Sequence, residues 1–473
     1  MKQMIKWKQF IAGALLAITI VTGIPVRATG EEGVSEGQAQ VVIANEGNSP
    51  YFSDSMLAHS AQSVPETNSG AVILVEANTR QVIYEKNSSE KMYPASTTKV
   101  MTALLTYENV NLDDVVTTTA SAVHHNTLIP DGSSASLKVG EEITVRNLLY
   151  GLLLPSGNDA ACVLAEYVGG TVENFVEMMN VRAKELGCIN THFANPHGLT
   201  NENHYTTAHD LYCIAYEFAK HEELMEIANT TSITIPATNQ NSEQTHNTTN
   251  HLISTRKYTQ YFYEYARGVK TGYTSAAKHC LVSTALKDDM YLICIVLKSP
   301  VLEGNVVTSF MDSKALYEWG FATYELRNIL KKGSSVTEAY VTLSEEKDSV
   351  ILETNDDIRI LIPRGSYDES LLTINPPKTV ATLTAPIAKG DLVAEATVIY
   401  DNVDCGKIGL VTASSAALSE FMDMNGKTED FFNSKIFVVL LIAIPVVFVF
   451  YIIYITLASK RRRRRSVYGR RYR

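Results

Sequence analysis

A serine and a lysine three residues apart, Ser96 and Lys99, precede an apolar stretch from Val100 to Leu105. If a helix begins here, the two side chains lie one turn apart on the same face, so the lysine amine can reach the serine hydroxyl. The amine can take the serine proton only if burial or a second cation lowers the lysine pKa from its usual value of about 10.4. Such pairs are common at helix starts, so acyl transfer through a serine depends on partners elsewhere in the chain.

Two more short motifs follow in the order that this chemistry needs. Ser-Gly-Asn at 156–158 comes after an apolar run, and Lys-Thr-Gly at 270–272 comes before a run typical of a strand, at 280–285. Lys270 supplies the second cation that the first pair requires. Each tripeptide alone is more typical of a helix cap or a turn, but the three motifs in this order are typical of one class of serine acyl-transfer enzymes.

The chain resembles the serine-type D-alanyl-D-alanine carboxypeptidases, the low-molecular-mass penicillin-binding proteins that trim peptidoglycan stem peptides. The resemblance extends over about residues 71–415 and is carried by PASTTK at 94–99, PSGN at 155–158, NPHGL at 195–199 and KTGYT at 270–274. It implies an α+β fold: a penicillin-binding-protein or β-lactamase-like catalytic domain, with a five-stranded antiparallel sheet flanked by helices, and a small all-β domain after it. It also implies stem peptides as substrate, covalent binding of β-lactam antibiotics and no cofactor.

The resemblance implies a role for each matched residue. Ser96 attacks the carbonyl between two D-alanines, Lys99 takes its proton, and water then hydrolyses the acyl-enzyme. Ser156 relays a proton to the leaving amine, and Asn158 holds the peptide and the Lys99 amine. Backbone N–H groups of Ser96 and Tyr273 stabilise the oxyanion. The substrate-binding positions are Asn158, Lys270, Thr271, Gly272, Tyr273 and Thr274.

One departure from the family concerns the substrate's terminal carboxylate. Some relatives place an arginine directly before the phenylalanine of the helix that closes the catalytic domain, where this chain reads Val-Thr-Ser-Phe at 307–310. Carboxylate binding is then expected to depend on Lys270, Thr271 and Thr274. The alternative sources of the missing cation are Arg256 and Arg267.

Two other functions share these motifs. A class A β-lactamase needs a glutamate that activates the deacylating water, and no Glu-x-x-Leu-Asn follows Asn158, since Glu177 and Asn180 lack that context. A receptor that binds muropeptides or β-lactams without turnover is disfavoured because every catalytic position is filled. Carboxypeptidase is the predicted function, and β-lactamase and receptor stay open as alternatives.

Local patterns predict the elements that position these motifs. The runs 71–76 and 81–85 predict a hairpin before the nucleophile. Helices are expected at 145–153 with Thr144 as N-cap, at 159–168 and at 172–186, and Thr207 with Asp210 predicts a capping box for a helix to about residue 218. After this helix we expect a polar loop at 236–250, strands at 280–285 and 290–297, and a closing helix at 307–321.

The catalytic domain is expected to span 66–325, and short alternating runs predict the all-β domain at 326–415. Its strands are expected at 339–343, 349–353, 358–362, 379–383 and 392–400.

The chain ends predict export and a membrane anchor. Residues 1–28 combine three lysines with an apolar stretch, typical of a cleaved signal peptide, with an uncleaved anchor as the alternative. Residues 29–65 are acidic and polar, which predicts a flexible leader. An uncharged run at 436–458 predicts a transmembrane helix, with a linker at 416–435 before it. The basic tail 459–473 is expected in the cytoplasm, so the catalytic domain of this single-pass protein lies outside.

Charge and ligand spacing exclude other classes of partner. Of the 41 Lys and Arg residues, four lie in 1–28 and ten in 435–473, so residues 29–434 carry 27 basic and 51 acidic side chains, a net charge of −24. Such a surface is not suited to nucleic acid. No pair among His192, His197, His204 and His209 has the helical spacing of a zinc motif, so turn and capping roles are expected there rather than a metal site. The six cysteines lack a Cys-x-x-Cys pair, which favours buried free thiols over disulfides.

Overall fold

The computed structural model describes residues 63–125 and 132–468, so the predicted signal peptide, nearly all of the leader and the end of the basic tail lie outside the described residues. The helices are α1 Lys99–Asn109, α2 Ala120–His125, α3 Val145–Leu153, α4 Asn158–Gly169, α5 Val172–Glu185, α6 Ala208–Ala219, α7 Glu222–Asn229, α8 Thr308–Thr323, α9 Glu420–Asn433 and α10 Lys435–Tyr468. The strands up to α8 are β1 Ala71–Glu76, β2 Gln81–Lys86, β3 Val115–Thr117, β4 Glu142–Thr144, β5 Ser232–Ile235, β6 Gln244–Asn247, β7 Ala266–Thr274, β8 Lys278–Lys287, β9 Met290–Ser299, β10 Val301–Leu302 and β11 Val306–Val307. The strands after α8 are β12 Tyr324–Leu330, β13 Ser335–Thr342, β14 Ser349–Thr354, β15 Ile358–Pro363, β16 Leu372–Asn375, β17 Leu383–Thr384, β18 Leu392–Tyr400 and β19 Val403–Thr412.

A five-stranded antiparallel sheet forms the centre of the catalytic domain, in the order β2-β1-β9-β8-β7. All six residues of β1 are buried, because helices cover both faces of the sheet. Ile73 and Val75 pack into the core formed with α1, α3 and α4, whereas Val72 and Leu74 pack into the core that contains α8. The predicted α+β fold is confirmed, and β7 lies at an open edge of the sheet.

Local signals located most helix starts. Thr144 caps α3 by accepting the Asn147 N–H at 3.2 Å, as predicted. Thr207 likewise caps α6, but the predicted capping box is only half right. The Asp210 carboxylate accepts hydrogen bonds from the loop before α6, at residues 190 and 191, rather than from the Thr207 N–H. Tertiary packing therefore overrides the local partner of this carboxylate.

The Lys-Thr-Gly motif lies in β7, and the strand predicted after it at 280–285 is part of β8, which pairs with β7 in a hairpin. Two other predictions about strands were wrong. The predicted loop at 236–250 contains β6, which pairs with β5. Of the predicted strand 379–383, only residue 383 is in a strand, β17, whose parallel partner is β13.

The chain after α8 forms the expected β-rich domain. Its largest sheet has the order β16-β18-β19-β14-β13-β17, and β12 pairs separately with β15. Within the described residues, one helix is long and apolar enough to cross a membrane, at Lys435–Lys460, with Pro445 inside it. The helix continues into the arginine run as far as Tyr468.

Candidate active site

The nucleophile candidate sits in a single tight turn that leads into α1. Ser96 belongs to a one-turn 3-10 helix, Ala95–Thr98, and Lys99 is the first residue of α1. Ala95 has a φ of +48°, a sparsely populated conformation for a residue with a Cβ. Hydroxyls within the turn satisfy its carbonyls: Thr97 donates to the Pro94 oxygen at 2.6 Å and Thr98 to the Ala95 oxygen at 2.8 Å. The turn is thus locally locked although its backbone is strained.

Lys99 is fully buried and its amine makes three polar contacts. Nζ lies 2.9 Å from Ser96 Oγ, 2.7 Å from Asn158 Oδ1 and 2.8 Å from the His197 carbonyl oxygen. Two of these partners, the amide oxygen and the carbonyl, can only accept hydrogen bonds. A neutral amine that donates to both keeps its lone pair directed at the Ser96 hydroxyl. An amine in this arrangement can act as a general base.

Both lysines of the site are held in weakly solvated positions. Burial, and secondarily the neighbouring Lys270 cation, keep the pKa of Lys99 well below its usual range. Burial lowers the pKa of Lys270 to about 7. Burial or a second cation was predicted to lower the pKa of Lys99, and both act, with burial the larger cause.

Lys270 and its neighbours belong to β7, the edge strand that lies beside the Ser96 turn. Lys270 Nζ donates to the Thr271 carbonyl oxygen at 2.9 Å. A Cβ on Gly272 would lie 3.0 Å from the Ser96 nitrogen, so only glycine lets β7 approach this turn so closely. The Thr274 hydroxyl accepts from Thr200 at 3.1 Å.

The other positions of the predicted binding strand differ in environment. Thr271 Oγ1 lies 2.5 Å from Thr249 Oγ1. Tyr273 is 57% exposed, and its ring lies 4.6 Å from that of His279. Its side chain is therefore a surface group.

Ser156 has an unusual environment. Its φ is +67°, it is 5% exposed, and its Oγ has no hydrogen-bond partner within the described residues. A buried hydroxyl without a partner, on strained backbone, marks a candidate functional group rather than a packing residue. The following Gly157 leads directly into Asn158, the first residue of α4.

A buried carboxylate that sequence reasoning missed holds the loop against this turn. Asp159 accepts hydrogen bonds from Ser134 Oγ at 2.6 Å, from the Ala135 N–H at 2.8 Å and from the Leu137 N–H at 3.2 Å. The Asn158 N–H donates to the Ser133 carbonyl at 2.8 Å. The sequence does show an acidic residue directly after the Ser-Gly-Asn motif, at the start of a helix, where a carboxylate is favourable. It does not show which loop this carboxylate binds.

The role of Gly198 was also missed. A Cβ at this position would lie 1.8 Å from the Ala95 carbonyl oxygen, and its φ is +92°. Gly198 therefore lets residues 195–199 pack directly beneath the nucleophile turn and present the His197 carbonyl to Lys99.

Within the described residues, the position of the family arginine and the two alternative cations have different environments. Ser309 is buried. The Arg267 guanidinium donates to the carbonyls of Glu264 and Ala266 at 3.0 and 2.9 Å, so it is engaged within its own segment. Arg256 is exposed in the loop before β7.

One group of possible metal ligands occurs in the described part of the chain. Single ligand atoms of Glu108, Glu217 and His221 lie within 4.8 Å of one another. Arg182 contacts Glu108 at 2.7 Å, and Lys220 contacts Glu217 at 2.7 Å, so cations of the protein already balance these carboxylates. All six cysteines are free thiols.

The fold and the three motifs define a penicillin-binding-protein catalytic domain, with the serine-lysine turn, the Ser-Gly-Asn turn and the Lys-Thr-Gly edge strand meeting at one place. Residues 58–300 match the family described as D-alanyl-D-alanine carboxypeptidase, and residues 324–417 match the C-terminal domain of penicillin-binding protein 5. The chain therefore belongs to the D-alanyl-D-alanine carboxypeptidase family, as its motifs predict.

Individual relatives agree with this assignment. The chain is 36% identical over 344 residues to D-alanyl-D-alanine carboxypeptidase DacF of Bacillus subtilis, covering 71% of this chain and 80% of DacF. It is 31% identical over 356 residues to DacA of Haemophilus influenzae, covering 73% and 84%. The solved structure of penicillin-binding protein 5 from Haemophilus influenzae superimposes with a TM-score of 0.60 at 30% identity, covering 76% of this chain and all of that one.

Proposed function

We propose that this protein is a serine-type D-alanyl-D-alanine carboxypeptidase that removes the terminal D-alanine from peptidoglycan stem peptides and binds penicillin covalently. The observation that carries the proposal is the Lys99 amine, which is 2.9 Å from Ser96 Oγ and has two obligate acceptors as its other partners. This arrangement favours a neutral amine as base for a serine nucleophile.

The reaction has two steps, acylation of Ser96 and hydrolysis of the acyl-enzyme. Ser96 Oγ forms a bond to the carbonyl carbon between the two D-alanines as its proton passes to Lys99. The C–N bond then breaks, and the proton held by Lys99 passes through Ser156 to the leaving amine, which frees D-alanine and returns Lys99 to its neutral form. Water attacks the resulting ester and gives a proton to Lys99. That proton passes to Ser96 Oγ as the C–O bond breaks, which restores the serine hydroxyl.

The remaining roles follow from position. The backbone N–H groups of Ser96 and Tyr273 stabilise the oxyanion, since Ser96 is in a helical first turn and Tyr273 is on an edge strand. Lys270, with the hydroxyls of Thr271 and Thr274, binds the substrate carboxylate. Asn158 holds the peptide while it fixes the Lys99 amine.

Intact-mass analysis of the full-length protein in detergent, after benzylpenicillin treatment, tests the nucleophile. We expect one covalent adduct, absent in Ser96→Ala and retained in Ser275→Ala, an exposed serine close to the site. An adduct that persists in Ser96→Ala contradicts the assignment. Release of D-alanine from a stem-peptide analogue separates a carboxypeptidase from an idle receptor, and catalytic release of penicilloate identifies a β-lactamase.

We also propose that the protein is exported and anchored by Lys435–Lys460, with the catalytic domain outside and the C-terminal arginines in the cytoplasm. The support is the apolar helix followed by a basic run. Protease added to cells stripped of wall is expected to digest the catalytic domain and spare a C-terminal epitope tag. Loss of the tag would reverse the orientation.

A further inference from the structure

The peptide unit between Ala95 and Ser96 joins a strained residue to the nucleophile. Its carbonyl oxygen accepts the Thr98 hydroxyl at 2.8 Å. The bond is trans, so the carbonyl and the Ser96 N–H point in opposite directions from one rigid plane. Any group that holds the Ala95 oxygen therefore also determines where the Ser96 N–H points.

A buried histidine determines the direction of the Thr98 hydroxyl. His204 is 1% exposed, and its Nδ1 accepts the Ala194 N–H at 2.9 Å, so the ring proton is on Nε2. Nε2 lies 2.8 Å from Thr98 Oγ1 and donates to it. The only proton of the Thr98 hydroxyl is then directed at the Ala95 oxygen. The hydrogen bonds run in one direction, from His204 through Thr98 to Ala95.

The direction of this chain does not change over the working pH range. Burial, with a smaller effect of His192, lowers the pKa of His204 to about 3. The imidazole is therefore neutral near pH 7, and Nδ1 stays an acceptor.

The surroundings hold the same peptide unit from two further sides. Gly198 lies directly against the Ala95 oxygen, where a Cβ would approach to 1.8 Å. Gly272 lies on the side of the Ser96 nitrogen, where a Cβ would approach to 3.0 Å. The segment that carries His204 is itself paired to the segment before the turn, because Met92 and Thr206 exchange backbone hydrogen bonds at 2.8 and 2.9 Å. The Ser96 nitrogen therefore lies next to β7, where the proposed mechanism places the oxyanion.

We propose that His204 and Thr98 are positioning residues for catalysis: through the Ala95 carbonyl they aim the Ser96 N–H at the oxyanion of the transition state. This inference rests on the proposed function, in which Ser96 is the nucleophile and its N–H an oxyanion donor. Oxyanion donors act by being fixed before the reaction, so a loosened donor costs rate rather than substrate affinity.

The competing explanation is that Thr98 is only a local helix-start cap. Threonine hydroxyls often bond nearby carbonyls, and such bonds contribute to stability alone. Thr106 provides the matched control, since it is buried in α1, the helix that follows Thr98, and its hydroxyl donates to the Thr102 carbonyl at 2.8 Å. Thr98→Val and Thr106→Val each remove one buried hydroxyl with little change in volume.

The test compares acylation rates and affinity for a peptide boronate, which forms a tetrahedral adduct with the serine and carries the anionic oxygen of the transition state. In the full-length protein, Thr98→Val is expected to lower the limiting acylation rate about 10- to 100-fold, part of the ~10²–10³-fold that one oxyanion donor supplies. Boronate affinity should fall by a similar factor, while KM for a stem-peptide analogue stays within about twofold. Thr98→Ser, which keeps the hydroxyl, should recover most of the rate, and Thr106→Val should retain it.

A double-mutant cycle tests the link to the histidine. His204→Phe should slow acylation in the wild type but add little in the Thr98→Val background, because both changes interrupt one chain of hydrogen bonds. Wild-type acylation and boronate affinity in folded Thr98→Val, or fully additive losses in the double variant, would overturn the inference. If His204→Phe does not fold, the comparison of the Thr98 and Thr106 variants decides.

Failure of this inference can be distinguished from failure of the proposed function. If Ser96→Ala loses the penicillin adduct while Thr98→Val acylates normally, Ser96 is the nucleophile and only the positioning role is wrong. If Ser96→Ala keeps the adduct, the proposed function itself is wrong.

Discussion

The Nζ atom of Lys99 lies 2.9 Å from Oγ of Ser96. Its two other partners accept hydrogen bonds, so the lone pair of the neutral amine points towards the Ser96 hydroxyl. The contact depends on three parts of the chain that are distant in sequence: α1 with its preceding turn, the first residue of α4, and the loop around His197. Lys270 approaches from β7 and, after burial, is the next cause of the low pKa of Lys99. Substitutions in each of these segments can separate their contributions.

The two lysines are expected to do different work. Lys99→Ala removes the base, so penicillin acylation should fall by about 10²–10⁴-fold. Lys270→Arg keeps a cation but replaces a compact ammonium by a wide planar group, so most of the loss should appear in apparent affinity rather than in limiting rate. Acylation rates against penicillin concentration measure both, with Lys184→Ala, an exposed lysine on α5, as control. Equal losses in limiting rate, with unchanged concentration dependence for Lys270→Arg, would mean that the roles are wrongly divided.

The pH dependence of acylation should be bell-shaped. The rate should rise with pH as Lys99 loses its proton at a pKa well below the usual range, because only the neutral amine is a base. It should then fall above about pH 7, where Lys270 becomes neutral and attracts the carboxylate less. Lys270→Arg should abolish the alkaline limb, since a guanidinium stays charged. An unchanged alkaline limb in that variant would assign it to another group.

Lys270 should cost stability in a pH-dependent way. Burial lowers its folded-state pKa to about 7, so between that pH and about pH 10 the unfolded chain binds more protons and stability rises with pH. Lys270→Met should therefore raise the free energy of unfolding by roughly 2–4 kcal/mol at pH 6, and by progressively less towards pH 10. Thermal unfolding of the detergent-solubilised protein measures this, with Lys184→Met as the exposed control. A gain in the free energy of unfolding that does not depend on pH would show that the protonation of Lys270 is not linked to stability.

Two glycines with similar backbone but different surroundings test the packing beneath the nucleophile. Gly187 has a φ of +82° and open space around the position that a Cβ would take, whereas a Cβ at Gly198 would lie 1.8 Å from the Ala95 oxygen. Gly187→Ala should lower the free energy of unfolding by only about 1 kcal/mol, because alanine is disfavoured at a positive φ, and it should leave the acylation rate unchanged. Gly198→Ala should lower the free energy of unfolding by roughly several kcal/mol, because it adds both backbone strain and overpacking, and it should displace the Ser96 turn. Similar acylation rates in the two variants would contradict the contact.

Ser156 is expected to contribute to catalysis but not to the stability of the fold. Its Oγ has no partner within the described residues and its φ is +67°, so Ser156→Gly should relieve strain and stabilise the fold by about 1 kcal/mol. Loss of the proposed proton relay should slow D-alanine release, and Ser156→Ala should slow it similarly without the gain in stability. Wild-type turnover in both variants would exclude the relay.

Sequence alone determined the features that depend on neighbouring residues. Periodicity, capping and length, which are local properties, predicted the hairpin of β1 and β2, the Thr144 and Thr207 caps, the closing helix and the apolar span at 436–458. The identity and order of the motifs were enough to predict the family, because few chemistries require those side chains in that sequence.

Tertiary structure alone decided how the motifs meet. The low pKa of Lys99 depends on burial between elements that are far apart in the chain. The contacts of Asp159 with its loop and of Gly198 with the Ala95 oxygen also join distant segments. No local pattern encodes such contacts, because each depends on the sheet order and on which helix packs against the nucleophile turn.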